Sequence, residues 1–403
     1  MASKLLFFVF VAALLAYYVY IPLPDNVEES WKVRLIDTAF RTLGHAAKIA
    51  ELLGLKNYME VMMLLTYAEQ SSPVSDENVT VTDTIFNNVP VRLYLPRAES
   101  PKLRRAVIYF HGGGWCVGSP AMMPYDLLSR WTANRLSAVV VSVDYRLAPQ
   151  FHFPIQFEDV YSVVKFFLQK DVLSLYHVDP ERVGVSGDSA GGNLAAAVAQ
   201  QMQDDPEITV RLKLQALIYP ALQPLDMDTP SYRENAYMPI LQKQLMVRFW
   251  SEYFTTDRTL REAMDSNTHV ASDLNHLIKL TNWSTLLPEK LKKNHVYYKP
   301  QHGTSEFIKK YPGIIDTRAA PLLADVAKLK NLPLTYMLTC MYDVLRDDGF
   351  MYAARLKKAG VRVIHDHFDD AFHGVMALTS WPADLSLGHR MANKYIEWLN
   401  ENL

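Results

Sequence analysis

Two glycine-rich segments carry the residues best suited to chemistry: His111-Gly112-Gly113-Gly114-Trp115 and Gly187-Asp188-Ser189-Ala190-Gly191. The second segment follows a short apolar run at 183–185 and leads into residues 193–199, which favour a helix. Small residues on both sides of a serine let the backbone turn sharply between a strand and a helix, so that the hydroxyl projects from the sheet. This setting predicts Ser189 as a nucleophile.

The triple glycine has a complementary role. It follows another apolar run, at 107–110, so it also lies where a buried strand ends. Without Cβ atoms, Gly113 and Gly114 can bring their backbone N–H groups close to a reacting carbonyl, and together with the N–H of Ala190 they predict an oxyanion hole. Gly112 belongs to the same turn. Either motif alone is weak evidence, but their order and flanking strands favour a serine hydrolase.

The surrounding sequence predicts the sheet that positions these motifs. Alternating residues at 79–82 and 91–95 indicate an antiparallel edge pair. Nearly continuous apolar runs are typical of parallel strands buried on both faces, and they occupy residues 107–110, 138–143, 183–185, 214–219 and 334–339. Helical patterns separate most of them, at 123–136, 156–170 and 191–203. The sequence therefore predicts a doubly wound, mostly parallel α/β sheet.

Two regions do not fit this alternation of strands and helices. Residues 24–75 contain a helical pattern, with apolar positions such as Leu35, Ala39 and Leu43. Residues of about 221–320 are rich in aromatic side chains and too long for a structureless loop. Both regions are expected to form a helical cap over the site, and a separate interaction module is the alternative for the second.

A serine nucleophile needs a base, and the base needs a carboxylate that orients it. In known hydrolases whose nucleophile lies on such an elbow, the chain order is serine, acid, histidine. Asp343 is the predicted acid because it follows the strand at 334–339 by a few residues. Asp347 and Asp348 fit better in the first turn of the next helix, where negative charge is favourable.

His373 is the predicted base because it lies in a loop beyond the alternating run at 361–368 and has Gly374 as its neighbour. His365 and His367 lie inside that run, which favours a structural role. His389 is a fourth, less favoured candidate, and His111, which precedes Ser189, is expected to brace the oxyanion loop.

The amino terminus differs from everything that follows. Residues 5–21 contain no charged side chain, and the apolar stretch nearly spans a hydrocarbon core. It ends in bulky tyrosines rather than the small residues of a cleavage site, so a signal anchor at 5–23 is favoured over the alternative, a cleaved signal peptide. Lys4 precedes the span, while Asp25 and Glu28 follow it, which predicts a cytoplasmic tail at 1–4 and a lumenal domain at 24–403.

Two sequons and two cysteines bear on this lumenal placement. Asn78 and Asn282 each begin an Asn-X-Ser/Thr triplet, the acceptor pattern for N-glycosylation. Cys116 and Cys340 are the two cysteines of the chain. In an oxidising compartment two cysteines are more often paired than free, and two buried thiols are the alternative.

Composition excludes one class of partner. A net charge of −2 over 403 residues, without a dense run of Lys and Arg, argues against a nucleic-acid surface. The predicted chemistry requires no metal or organic cofactor, so the expected partners are a small amide or ester and the membrane. The sequence makes no prediction of protein partners.

Five segments together resemble the hormone-sensitive-lipase branch of the α/β-hydrolases: residues 111–115, 144–149, 187–193, 343–349 and 372–374. The resemblance extends over essentially the whole chain. It implies the α/β-hydrolase fold and a single-pass type II enzyme of the endoplasmic reticulum that hydrolyses aryl acetamides and small acyl esters. It also implies a catalytic triad, a disulfide and two glycans, assigned respectively to Ser189, Asp343 and His373, to Cys116 with Cys340, and to Asn78 and Asn282.

Two alternative functions remain at this point. A neutral-lipid esterase acting on cholesteryl or glyceryl esters would use the same residues and suit the same anchor. A binding protein could keep the fold and lose the chemistry, because fold alone does not determine function. Such a protein is expected to have lost the serine or the histidine, and both are present.

Overall fold

The computed structural model describes residues 2–271, 274–300, 303 and 305–403. Within them an eight-stranded sheet runs in the order β1-β2-β4-β3-β5-β6-β7-β8. Its strands are β1 (Val79–Phe86), β2 (Val89–Pro96), β3 (Arg104–Phe110), β4 (Ala138–Val143), β5 (Val178–Asp188), β6 (Leu214–Ile218), β7 (Leu334–Tyr342) and β8 (Val363–Phe372). β1 and β2 pair antiparallel, as do β2 and β4, and all other neighbours are parallel. The predicted edge pair and parallel strands are confirmed.

Helices cover both faces of the sheet and fill the two regions outside the alternation. They are α1 (Ala2–Val19), α2 (Ser30–Leu52), α3 (Tyr58–Ala68), α4 (Met123–Leu136), α5 (Ile155–Phe167), α6 (Lys170–Leu175), α7 (Ala190–Met202), α8 (Pro230–Glu234), α9 (Lys243–Phe254), α10 (Arg258–Asp265), α11 (Asn275–Ile278), α12 (Trp283–Leu286), α13 (Glu289–Lys292), α14 (Glu306–Lys310), α15 (Val326–Leu329), α16 (Arg346–Lys358) and α17 (Ser386–Asn402). Short 3₁₀ turns lie at Lys279–Thr281, Pro312–Ile315, Pro321–Leu323 and Val375–Ala377, and two-residue strands β9 (Thr379–Ser380) and β10 (Ala383–Asp384) pair near the carboxyl terminus.

The core consists of two hydrophobic clusters, one on each face of the sheet. On β3, Ile108 and Phe110 belong to one cluster, whereas Val107 and Tyr109 belong to the other. This alternation follows from the two-residue period of a strand. Helices α5, α7 and α16 contribute to the first cluster, and α4 and α17 to the second. Burial on both faces explains why the parallel strands are apolar throughout.

The amino-terminal region is helical, in agreement with the sequence pattern. α3 begins with a capping box in which the Asn57 side chain accepts the Met59 N–H and the Glu60 carboxylate accepts the Asn57 N–H, both at 2.8 Å. The side chains of α1 from Leu5 to Phe10 are exposed. No helix in the described part of the chain is both long and apolar enough to cross a membrane.

The predicted disulfide between Cys116 and Cys340 is wrong in this structure. Both cysteines are free thiols, and both are buried. Cys116 packs in the cluster of Ile108, whereas Cys340 packs with Leu338 in the cluster on the opposite face. The sheet therefore separates the two thiols, and the alternative of two buried thiols holds. Burial raises the pKa of both, which keeps them protonated.

Candidate active site

Ser189 lies in a sharp turn between β5 and α7. Its backbone has φ 55° and ψ −116°, a conformation that side chains rarely adopt. Its N–H donates to the carbonyl of Ile218 at 2.9 Å. A Cβ on Gly187 would lie 2.4 Å from the Gly191 backbone, and a Cβ on Gly191 would lie 1.9 Å from the Phe110 carbonyl oxygen. Only glycine fits on either side of the turn.

The structure brings the predicted serine, histidine and aspartate together. His373 Nε2 lies 2.9 Å from Ser189 Oγ, and His373 Nδ1 lies 2.8 Å from Asp343 Oδ2. The other Asp343 oxygen accepts the N–H of Leu345 at 2.8 Å, and the Asp343 carbonyl accepts the Asn235 amide at 2.9 Å. The carboxylate is thus fixed, and it orients the imidazole so that Nε2 can accept the serine proton.

Asp347 and Asp348 lie in the first turn of α16, as predicted, and neither touches the histidine in the described contacts. Asp347 accepts the Ser231 N–H at 2.7 Å and the Arg346 Nε–H at 2.9 Å. Asp348 accepts the Leu222 N–H at 2.9 Å, and burial raises its pKa to about 7. Both carboxylates therefore attach the segment after β6 to α16.

The other three histidines that follow Ser189 near the carboxyl terminus are held elsewhere. His365 Nε2 and His367 Nδ1 each lie 2.8 Å from the hydroxyl of Thr339. Burial lowers the pKa of His365 to about 3 and that of His367 to about 4, so both are neutral. His389 is partly exposed and pairs with Asp384 at 2.7 Å.

The glycine loop follows β3, which pairs with β5 so that Phe110 lies opposite Gly187, two residues before the serine. Gly113 and Gly114 have φ of 106° and 60°. Within the described residues, no hydrogen bond involves the N–H of either glycine or of Ala190 as donor. A Cβ on Gly113 would meet the Val117 carbonyl oxygen at 2.0 Å, and a Cβ on Gly114 would meet the Phe249 ring at 2.2 Å. These contacts require glycine and leave three donors available to an oxyanion.

Asp188 anchors this loop, a role that the sequence reasoning missed. Asp188 Oδ1 accepts the Gly112 N–H at 2.9 Å and the Tyr109 hydroxyl at 3.0 Å, and Oδ2 accepts the Tyr125 hydroxyl at 3.1 Å. Burial raises the pKa of Asp188 to about 6, although these donors favour the carboxylate. A charged residue at the end of an apolar strand, directly before the nucleophile, was the available signal.

His111 braces the same loop, in the position expected for it. Its Nδ1 lies 2.7 Å from the Gly112 carbonyl, and its ring stacks on Tyr145 with centroids 4.3 Å apart. The Tyr145 hydroxyl donates to the His111 carbonyl at 2.7 Å. Burial lowers the pKa of His111 to about 4, so the imidazole is neutral and its Nδ1–H donates to the carbonyl.

The triad is buried, and α9 from the predicted cap region of about 221–320 contributes to its cover. Ser189 is 7% exposed and His373 is 6% exposed. Phe249 of α9 lies over Gly114, and the Tyr219 ring lies 4.7 Å from the His373 ring. The site is therefore enclosed largely by apolar and aromatic groups.

α9 is in turn bound to the amino-terminal helices. Arg248 Nη1 donates to Glu51 of α2 at 3.1 Å, and its guanidinium lies 4.1 Å above the Tyr58 ring of α3. An ion pair and a cation–π contact thus join residues that are far apart in the sequence.

The remaining predicted positions lie away from the triad. Asn78 is exposed just before β1. Asn282 is partly buried and caps α12, where its side chain accepts the Ser284 N–H at 3.1 Å. In the part of the chain that the structure describes, no cluster of three or more His, Cys, Asp or Glu side chains is arranged to hold a metal ion.

A family model described as alpha/beta hydrolase fold matches residues 107–285 and 279–377, which together are more than half of the chain. The chain belongs to the α/β-hydrolase family. Among curated relatives, the arylacetamide deacetylase of Bos taurus is 57% identical over 403 residues and covers 100% of both chains. Neutral cholesterol ester hydrolase 1 of Bos taurus is 45% identical over 410 residues, again with 100% of both chains covered.

Solved α/β-hydrolase structures agree with this assignment. A hyperthermophilic esterase from the archaeon Pyrobaculum calidifontis is 27% identical, with a TM-score of 0.61. The match covers 94% of this chain and 99% of the esterase. The family assignment thus rests on sequence and on backbone geometry together.

Proposed function

We propose that this α/β-hydrolase cleaves aryl acetamides and short acyl esters through an acyl-enzyme intermediate on Ser189. The observation that carries the proposal is the continuous hydrogen-bond chain from Ser189 through His373 to Asp343, at 2.9 and 2.8 Å. The free N–H groups of Gly113, Gly114 and Ala190 beside it supply the second requirement, a receptor for negative charge.

Acylation uses each of these groups in turn. Ser189 Oγ attacks the acyl carbonyl while His373 Nε2 takes its proton, and the Asp343 carboxylate stabilises the imidazolium that forms. Negative charge develops on the former carbonyl oxygen and is received by the loop N–H groups. His373 then donates its proton to the departing amine or alcohol, which leaves the acyl group on Ser189.

Deacylation repeats the sequence with water in place of the serine. His373 takes a proton from water, the resulting hydroxide equivalent attacks the acyl-enzyme, and the oxyanion again lies at the glycine loop. Collapse of this intermediate returns the proton from His373 to Ser189 Oγ and releases the carboxylic acid. The cycle restores every group and needs no further reactant.

The substrate class is supported by the relatives rather than by the triad. The arylacetamide deacetylase of Bos taurus is similar over its whole length, and its name supports aryl acetamides. Neutral cholesterol ester hydrolase 1 is similar over its whole length at lower identity, which makes a neutral-lipid esterase the second candidate. The apolar surroundings of the triad suit both classes.

The membrane placement is also a proposal. α1 by itself is not long and apolar enough to cross a membrane, so the proposed span takes in residues 20–23 as well as the 18 residues of α1, which extend over about 27 Å at the helical rise. Its exposed apolar side chains support burial in lipid, and Lys4 before it supports an orientation with the catalytic domain in the lumen of the endoplasmic reticulum. Glycans on Asn78 and Asn282 belong to the same proposal.

The activity is tested with Ser189→Ala, for which an exposed serine, Ser72→Ala, is the matched control. From comparable triads the loss in kcat could reach roughly 10⁶-fold, with circular dichroism unchanged. The wild type, assayed on 4-nitroacetanilide and on cholesteryl oleate in the same detergent, separates the two candidates. A Ser189→Ala variant that retains a tenth of the activity would exclude the assignment.

The topology is tested separately from the chemistry. Endoglycosidase treatment should reduce the mass of protein from microsomes, and Asn78→Gln with Asn282→Gln should remove that reduction. Carbonate extraction should leave the full chain in the membrane pellet. A soluble product that lacks residues 1–16 would instead indicate a cleaved signal peptide.

A further inference from the structure

One segment beside the triad has an unfavourable backbone. Ile240 has φ +68°, although a β-branched side chain disfavours the left-handed region. The Leu241 N–H donates to the Pro239 carbonyl at 2.9 Å, two residues back, so that Ile240 is the centre of a γ-turn with positive φ. Such turns are rare and strained, so the surrounding structure must hold this one in place.

Asp37 of α2 holds the turn in place by accepting a hydrogen bond from its backbone. Its Oδ1 accepts the Ile240 N–H at 3.1 Å, and its Oδ2 accepts Arg41 Nε–H at 2.6 Å. Asp37 is only 1% exposed, so both hydrogen bonds are formed away from water. A buried carboxylate that is already fixed by a cation is a rigid acceptor for the strained turn.

The Ile240 side chain lies against the loop that carries the catalytic histidine. Its Cγ2 lies 3.6 Å from the position that a Cβ would take on Gly374, the residue after His373. It also packs against the cluster that contains Phe372 and Val375 on either side of that loop. The strained residue therefore packs against the loop that holds the imidazole in position.

We infer that Ile240 is a specificity-determining residue for the leaving group and that Asp37 is its positioning residue. The inference rests on the proposed function. The imidazole must reach the departing amine or alcohol to protonate it, so a side chain packed against the loop that carries the imidazole limits the space available to that part of the substrate. The acyl part lies toward the glycine loop, where the oxyanion is held.

The test compares acetate esters that share the acyl group and differ in the alcohol, phenyl acetate against 1-naphthyl acetate. The readout is the ratio of their kcat/KM values, because a general loss of stability or active enzyme cancels in that ratio. Ile240→Ala should shift the ratio toward the naphthyl ester by roughly tenfold, the effect expected of removing a few carbon atoms from a pocket wall. The ratio of phenyl acetate to phenyl butyrate, which varies the acyl group, should stay constant.

Asp37 is tested with two substitutions and one control. Asp37→Ala should shift the same ratio in the same direction as Ile240→Ala, because the turn loses its acceptor. Asp37→Asn keeps an oxygen for the Ile240 N–H and should retain most of the wild-type ratio. Thr42→Ala, which removes a hydroxyl that donates to the Thr38 carbonyl at 2.7 Å on the same helix, should leave the ratio unchanged.

The outcomes distinguish this inference from the proposed function. If Ile240→Ala leaves both ratios at the wild-type value in an active enzyme, the specificity role is refuted while the triad stands. Equal losses on every substrate for Asp37→Ala would show a structural role only and refute the positioning role. A wild-type enzyme that hydrolyses none of these esters would refute the proposed function, and the inference with it.

Discussion

Replacing Asp188 by asparagine should change how the stability of the fold depends on pH. Burial raises the pKa of Asp188 from 3.8 to about 6. A group whose pKa is raised by folding contributes its full stability below the unfolded pKa and loses it as the pH rises through the folded pKa. At about 1.4 kcal/mol per pKa unit, the wild type should lose about 2 kcal/mol from this group between pH 4.5 and 7.5. Asparagine does not ionise, so the variant loses no stability from this position over the same pH range.

The hydrogen bonds at this position determine the part of the stability difference between variant and wild type that does not depend on pH. The asparagine oxygen can still accept the Gly112 N–H and the Tyr109 hydroxyl, while its amide group would face the Tyr125 hydroxyl. The lost donation from Tyr125 should cost roughly 1 kcal/mol at every pH. Asp188→Asn should therefore be near the wild type in stability at pH 4.5 and about 1 to 2 kcal/mol more stable at pH 7.5.

Urea unfolding of the solubilised full chain, followed by tryptophan fluorescence at both pH values, measures the difference. Asp257→Asn is the matched control, because hydrogen bonds from Lys310, Thr259 and Tyr311 lower the pKa of Asp257. Asp257 is ionised in both the folded and the unfolded chain above pH 4.5, so the stability difference between Asp257→Asn and the wild type should stay constant with pH. A difference for Asp188→Asn that also stays constant, or that moves against the variant as the pH rises, would refute the reasoning.

Three further predictions follow from contacts in the described residues. Gly191→Ala should lower activity more than a hundredfold and reduce soluble yield, because its Cβ would lie 1.9 Å from the Phe110 carbonyl oxygen. The control is Gly360→Ala, whose Cβ would meet no atom within 4 Å and which should cost only about 1 kcal/mol of stability for its positive φ. Equal losses for the two variants would contradict the elbow geometry. His367→Gln should reduce the loss of stability between pH 6.5 and 4. Burial lowers the pKa of His367 to about 4, so in this range the unfolded wild-type chain binds a proton at the ring and the folded chain does not, which destabilises the fold. Melting temperatures that fall equally with pH in the variant and the wild type would contradict it. Cys116 and Cys340 should both alkylate on unfolding without a reductant, and a requirement for prior reduction would show the disulfide instead.

Much of the fold follows from the sequence because each parallel strand is buried on both faces. Such strands are continuous apolar runs, and the runs at 107–110, 138–143 and 334–339 correspond to β3, β4 and β7. The elbow was predictable for a local reason, since glycines at 187 and 191 are required by contacts of 2.4 Å or less. The positions of Asp343 and His373 followed from chain order and from strand ends.

The failures involve residues whose partners are distant in the sequence. The disulfide was expected from the oxidising compartment and from the family resemblance, and neither takes account of strand faces. The two-residue period of β7 places Cys340 with Leu338 on the face away from Cys116. Ile240 and Asp37 are joined by one hydrogen bond across about 200 residues, and no local pattern predicts it. Asp188 was visible inside the motif, but its three donors come from separate elements.

The most direct test of the account is the site of covalent labelling by a fluorophosphonate. The full-length protein is treated with the reagent, digested and mapped by mass spectrometry. The triad at 2.9 and 2.8 Å predicts one phosphonylated residue, Ser189, and labelling that is lost in Ser189→Ala and strongly slowed in His373→Gln. His389→Gln, at a partly exposed histidine that pairs with Asp384 outside the triad, should label at the wild-type rate. Stoichiometric labelling at another residue, or undiminished labelling of Ser189→Ala, would contradict the assignment of the nucleophile.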